Sequence, residues 1–232
     1  MSNDIFRFKQ FSVRHDRCAM KVGTDGVLLG AWGSVEGKRI LDIGTGTGLI
    51  ALMAAQRNPE ADVLGIDIDE SAVAQASGNV AKSPFNRRIE CILQDVLTFE
   101  PEAPFDAILC NPPFFTEDTL PDDKGRALAR NNKCLPFPQL IRKVAVLLAE
   151  NGTFSLIIPS GLAQEIVGLC MENVLHLVRR CQVHTTARKP PRRTLLEFSR
   201  QNRSCEMQML CLVVDDGTRS QQYKELTKDF YL

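Results

Sequence analysis

Apolar and polar positions recur along this chain with two periods. Residues 39–43 (RILDI), 62–67 (DVLGID), 88–93 (RIECIL), 105–111 (FDAILCN) and 152–159 (GTFSLIIP) are short apolar runs bounded by turn residues, and they predict five buried strands. The intervening segments read as helices. LIALMAAQR follows GTGTG. ESAVAQASGNVAK, residues 70–82, has Asp69 as its expected N-cap. PFPQLIRKVAVLLAE, 136–150, puts apolar residues at 140, 141, 144, 147 and 148, the spacing of a core-facing stripe. A further helix is expected over about residues 161–173. Strands alternating with helices imply right-handed crossovers and a mostly parallel sheet.

The C-terminal third reads differently. VLHLVRRCQVHT (174–185) and EMQMLCLVV (206–214) are β-rich, and an antiparallel pair closing the sheet is the expectation. The segment between them, ARKPPRRTLLEFSRQNR, reads as a basic connection. From 179 to 203 there are eight Arg or Lys against one acid, Glu197. No repeat or low-complexity tract occurs. The expected organisation is one compact domain, with residues 1–35 as an N-terminal cap segment and 36–232 as the main body.

Composition narrows the classes. Lys+Arg and Asp+Glu are both 28 in 232 residues, so any grip on nucleic acid must come from local asymmetry rather than net charge. The eight cysteines show no C-x-x-C spacing, and several lie in apolar runs (Cys91, Cys110, Cys211), as reduced thiols of a cytosolic protein would. The opening MSNDIFRFKQF lacks the apolar core of a signal peptide, and no ~20-residue apolar stretch suggests a membrane span. His15, His176 and His184 are not at metal spacing, so no metal is expected.

Three motifs carry candidate chemistry. LDIGTGTGLIAL sets Gly44, Gly46 and Gly48 between a strand and a helix, where glycine permits a tight turn and close ligand approach. The dinucleotide fingerprint G-x-G-x-x-G fails by one residue, and Asp42 before the loop would repel a pyrophosphate but attract an ammonium group. That favours S-adenosylmethionine; a ligand-free strand–helix turn is the alternative. Asp67, ending the second strand, is placed to accept hydrogen bonds from ribose hydroxyls. Asp95, after the third, either meets an adenine amino group or is a polar strand terminus. The third motif, ILCNPPFF at 108–115, ends a buried strand on an amide, locks the backbone twice and then presents aromatic rings, an arrangement costly without a ligand.

LDIGTGTG, GIDID, QD and NPPF in this order resemble the class I S-adenosylmethionine-dependent methyltransferases that carry an (N/D)PP(Y/F/W) signature and methylate planar nitrogens. The resemblance implies an α/β Rossmann-like fold: a central mostly parallel seven-stranded sheet, helices on both faces and an antiparallel C-terminal hairpin. It implies catalytic roles for Asn111, Pro112, Pro113 and Phe114, with Phe115 either stacking or core. Asn111 and the Pro112 carbonyl would accept hydrogen bonds from an exocyclic amine, and Phe114 would stack on a flipped base. Cofactor contacts would come from Asp42, Gly44, Thr45, Gly46, Gly48, Asp67, Ile68, Asp95, Val96 and Asn111.

A narrower resemblance begins at FKQFSVRHDRCAMKVGTDGVLLGAW and extends through SPF, NPPFF and LTKDFYL. It is to the bacterial methyltransferases that modify N6 of adenine 37 in a valine tRNA. It implies that Lys21, Thr24 and Asp25 help close the cofactor site, although Thr24 would also serve as a helix cap. For tRNA contact the candidates are Arg188, Lys189, Arg192 and Arg193 in one basic stretch, and Arg126 and Arg130, with Lys124 and Lys133, after NPPF. Two other readings stay open: the same chemistry on ribosomal RNA (adenine N6 or guanine N2) or on protein glutamine, and a non-catalytic RNA-binding module. A cytoplasmic location is expected; the sequence does not fix the oligomeric state, for which a monomer is favoured.

Overall fold

The strand and helix periods fold into layers stacked on one sheet. The computed structural model describes residues 4–16, 22–113 and 135–232. Lys21, Phe114, Phe115, Lys124, Arg126, Arg130 and Lys133, singled out above, lie outside the described residues.

A hairpin of β1 (Ile5–Arg7) and β2 (Ser12–Arg14) precedes helix α1 (Thr24–Trp32). The alternating core follows: β3 (Arg39–Ile43), α2 (Leu49–Arg57), β4 (Asp62–Asp67), α3 (Glu70–Ala81), β5 (Ile89–Leu93) and β6 (Phe105–Cys110). After the undescribed stretch come α4 (Phe137–Leu147), β7 (Leu148–Pro159), α5 (Ala163–Glu172), β8 (His176–His184), β9 (Arg193–Ser199), β10 (Glu206–Cys211) and α6 (Gln221–Thr227). The large sheet runs β10-β8-β9-β7-β6-β3-β4-β5. Only β9 is antiparallel to its neighbours, β7 and β8.

Chain order reverses between β3 and β6. β4 and β5 follow β3 outward on one side, while β6 and β7 lie on the other. Adjacent connections there leave the sheet toward opposite faces, which opens a crevice at the carboxyl ends of the strands. One core layer packs α1 and α2, with Phe8, Phe11 and Val13 of the N-terminal segment and Tyr223 and Phe230 near the C-terminus. The other packs Leu140, Ile141, Val144 and Leu147 of α4 with Ile166 and Cys170 of α5. Four of the five stripe positions read from 136–150 are thus the buried face of α4; the helix ends at Leu147, and the fifth, Leu148, is buried as the first residue of β7.

The C-terminal third corrects the expected pairing. Segments 174–185 and 206–214 were to form an antiparallel pair, but β8 and β10 run parallel. The missing element is β9, inside the segment read as a basic connection, and with it the sheet has eight strands among the described residues rather than seven. β9 was hidden because Glu197 interrupts its apolar run. That carboxylate is buried and satisfied by Arg179 from β8 at 2.7 Å, by the Ser155 hydroxyl at 2.8 Å and by the Ser34 amide at 3.0 Å. A buried acid is tolerated when paired and hydrogen-bonded, and these partners come from distant segments. Arg179 also lies 3.8 Å from the centre of the Trp32 ring and donates to the Trp32 carbonyl, so the same network holds the end of α1.

Candidate active site

The glycine loop owes its shape to positive φ. Gly44, Gly46 and Gly48 have φ of +70°, +55° and +78°, a region side chains enter only under strain. A Cβ on Gly44 would meet nothing within 4 Å, so this part of the loop faces open space. The amides of Gly44 and Thr45 donate to the Ile66 carbonyl at 2.9 and 3.0 Å, tying the loop to β4. Asn79 of α3 donates to the carbonyls of Thr47 and Arg14, both at 2.9 Å, and ties its far side to β2.

The two acids of this region have different placements. Asp67 ends β4 at the cleft, where its carboxylate accepts from the Gly46 amide and from the Asp69 amide, each at 3.0 Å. Asp42, on β3, is fully buried and does not line the cleft. Its Oδ2 accepts from the Thr45 hydroxyl at 2.7 Å and from the Ala51 amide at 3.2 Å, while Oδ1 is buried without a hydrogen-bond partner. Burial, opposed by those two hydrogen bonds and assisted by the Asp67 charge, pushes its pKa up to about 7. Asp42 therefore sits behind the loop and braces it; the ammonium-pairing surface expected of it is absent from its position. Gly48 is also set back: it is the N-cap of α2, facing Ala76.

The loop borders a cleft of about 980 Å³ at the switch point. Of the expected cofactor residues, Thr24, Asp25, Gly44, Thr45, Gly46, Asp67, Ile68, Asp95, Val96 and Asn111 line it, as do Pro112 and Pro113. Thr24 is the first helical residue of α1 and not its cap, which is Gly23 without a side-chain hydrogen bond. Asp95 both lines the cleft and caps a short turn, accepting from the Leu97 amide at 2.9 Å. Asp69 caps α3 as expected, accepting from the Ser71 amide at 2.9 Å. Asn111 follows β6 directly, half-buried, with Pro112 buried and Pro113 exposed behind it.

Other lining residues had no signal of their own in the sequence: Thr47, Leu97, Pro136 and Gln139. Gln94 also lines the cleft and was visible only as half of the QD pair. The four basic residues of 188–193 do not behave alike. Arg188 pairs with Asp215 at 3.0 Å, both exposed; Lys189 and Arg192 are exposed; Arg193 pairs with Asp25 at 2.8 Å and is only partly accessible. Among the described residues there is no metal-ligand cluster and no helix long and apolar enough to cross a membrane.

A parallel sheet with one reversed strand near its edge and its cleft at the switch point has the architecture of the methyltransferases. The predicted O-methyltransferase of Agrobacterium tumefaciens superposes with TM-score 0.69 at 18% identity, covering 89% of this chain and 96% of that one. A glycopeptide N-methyltransferase solved with S-adenosylmethionine superposes at 0.57 and 11% identity, over 77% of this chain and 99% of that one. The family model for the methyltransferase small domain matches residues 21–186. The tRNA1(Val) (adenine(37)-N6)-methyltransferase of Bacteroides thetaiotaomicron is 47% identical over 100% of this chain and 99% of its own length. Those of Flavobacterium psychrophilum and Aeromonas hydrophila are 44% and 43% identical, over 98% and 99% of this chain and 99% and 98% of theirs. The chain belongs to the tRNA1(Val) (adenine(37)-N6)-methyltransferase family, within the methyltransferase small-domain proteins.

Proposed function

We propose that this protein transfers a methyl group from S-adenosylmethionine to N6 of adenine 37 in the anticodon loop of a valine tRNA. The observation that carries the reading is the position of Asn111 and Pro112 on the wall of the same cleft as the glycine loop, in a chain whose full length matches that family.

The residues present fit the cofactor. The open side of Gly44 leaves room for a ligand against the backbone, Asp67 offers a carboxylate for ribose hydroxyls, and Ile68 and Val96 offer apolar surface for a base. Ile68 is 55% exposed at the cleft wall, so its side chain is available to a ligand. When bound, the cofactor supplies an electrophilic methyl group on a cationic sulfur.

Asn111 and Pro112 prepare the acceptor. An adenine amino group is a weak nucleophile because its lone pair is delocalised into the ring. The Asn111 side-chain oxygen and the Pro112 carbonyl accept its two N–H bonds, which favours a tetrahedral nitrogen with its lone pair turned toward the cleft. The prolines stiffen that backbone, so little reorganisation is left for the reaction itself. The methylated nitrogen is strongly acidic before it loses its extra proton, so no strong base is needed. Phe114 is the proposed stacking partner of the flipped base, and Lys189 and Arg192 of the exposed turn are proposed phosphate contacts.

The test is methylation of total tRNA, from a strain lacking the gene, with tritiated S-adenosylmethionine, followed by nucleoside analysis. Label in N6-methyladenosine of one valine tRNA, lost in Asn111→Ala, is the expected result. Label in ribosomal RNA or protein glutamine instead would overturn the acceptor assignment, and no label in any acceptor would overturn the enzymatic one.

A further inference from the structure

The basic turn and the cofactor cleft meet at one ion pair. Arg193 ends the RKPPRR run and begins β9, and its Nε donates to Asp25 Oδ2 at 2.8 Å. Asp25 stands in the first turn of α1 and lines the cleft. The two side chains are 30% and 27% exposed, whereas the pair that Arg188 of the same turn makes with Asp215, after β10, is 82% and 70% exposed. A half-dry pair is screened far less than an exposed one, so its making and breaking has consequences for affinity.

Anchoring α1 does not explain the pair. The helix already buries Val27, Leu28, Leu29 and Trp32, and its C-terminal end is held by Arg57, which donates to the carbonyls of Gly30 and Gly33 at 2.9 and 2.6 Å. The turn itself is held on both sides. The Arg192 amide donates to the Val183 carbonyl at 2.9 Å, and the Arg192 carbonyl accepts from the Ser160 amide at 3.2 Å. Arg193 is thus presented by a fixed backbone, at the carboxyl edge of the sheet, two strands from β6 and Asn111. At the usual strand spacing that is a lateral step of roughly 10 Å.

We infer that Arg193 is a positioning residue that couples the two substrates through Asp25. A carboxylate shared between two cations holds each less firmly than it holds one alone. Asp25 engages the guanidinium in the structure. A cationic ligand beside Asp25 draws on the same carboxylate and leaves more of the Arg193 charge for an RNA phosphate at the turn. Methyl transfer breaks the S–CH3 bond, forms N–CH3 and leaves the electron pair on sulfur, and the methylated nitrogen then gives up its extra proton to solvent, so a cationic sulfonium and a neutral amine become a neutral thioether and a neutral methylamine. The cleft then carries one positive charge less, Asp25 regains Arg193, and the modified RNA is held more weakly. The coupling is reciprocal: bound RNA tightens the cationic ligand by the same factor.

This inference rests on the function proposed above, and the test separates the two. An end-labelled, unmodified valine tRNA transcript is titrated by fluorescence anisotropy with the full chain alone, with S-adenosylhomocysteine, and with sinefungin, which carries an amine where the sulfonium would be. Wild type is expected to bind RNA about fivefold more tightly with sinefungin, and less so with S-adenosylhomocysteine. Asp25→Asn is expected to bind tightly without any ligand, so its ratio falls to about one. Asp215→Asn, in the connection after β10, removes an equal charge from the partner of Arg188 and keeps the wild-type ratio. A wild-type ratio of one, or the wild-type ratio persisting in Asp25→Asn, overturns the coupling even if tRNA is methylated normally. Failure of wild type both to bind and to methylate the tRNA overturns the function and the coupling together.

Discussion

The two halves of the cleft are built on opposite plans. The glycine-loop half is wired to the frame by hydrogen bonds from several directions: Gly44 and Thr45 to Ile66, Gly46 to Asp67, Thr45 to Asp42 and Asn79 to Thr47. The Asn111 half leaves β6 on a two-proline tip, and its rigidity is covalent. The first half presents backbone amides and carboxylates in fixed positions, suited to one invariant ligand. The second places Asn111 and Pro112, the proposed acceptors, on the wall of the cleft. Substitutions in the first half should therefore act through binding and stability, and those in the second through the rate of the chemical step.

The largest expected effect is at the tip. If Asn111 is one of two acceptors as proposed, Asn111→Ala should lower kcat by ~10²–10³-fold, the usual cost of one such group, while cofactor affinity measured by calorimetry changes far less. Equal losses in both would erase the distinction between the halves.

Next is Gly46→Ala in the loop. A Cβ there has space, its nearest contact being 3.9 Å away, so the cost is the positive φ, about 1–2 kcal/mol. Unfolding midpoints and cofactor affinity should both fall, with kcat at saturating substrate nearly kept.

Asp42 gives a pH signature of the wired half. Its folded pKa of about 7 lies above the ordinary 3.8, so the folded chain holds this proton more tightly than the unfolded chain. The contribution is complete below the unfolded value, shrinks as pH rises between 3.8 and about 7, and is lost above that. The urea-midpoint difference between wild type and Asp42→Asn should move against wild type across that window and flatten beyond it. A difference that does not vary with pH would contradict the burial-driven shift.

The smallest effects belong to the exposed turn. Lys189→Ala and Arg192→Ala should each weaken tRNA binding modestly for any sequence and reduce the salt slope by roughly 0.7–0.9. An unchanged slope would remove the turn from the RNA face.

Most of the fold was legible because strand and helix periods are local. The five strands, the stripe of α4 and the Asp69 cap follow from spacing and capping chemistry within a few residues. β9 was not legible, because whether Glu197 ends a strand or sits inside one depends on Arg179, Ser155 and Ser34, which are remote in the chain. The two acids beside the glycine loop, Asp42 and Asp67, show the same limit: both stand near strand ends, yet of the pair Asp67 alone lines the cleft. Gly65 contributes to that outcome, since a Cβ there would come within 2.7 Å of the Thr45 hydroxyl that Asp42 holds.

The amino-acid order by itself determined the elements, the loop that needs glycine, and the amide-and-proline tip, since each depends on backbone preferences and side-chain chemistry acting over a few residues. The tertiary structure alone decided which of Asp42 and Asp67 faces the cleft, which strand is reversed, and that Arg193 in a basic run answers to Asp25, 168 residues away. Those outcomes depend on burial and on charges brought together by the sheet, and neither burial nor long-range pairing is a property of a local stretch of chain.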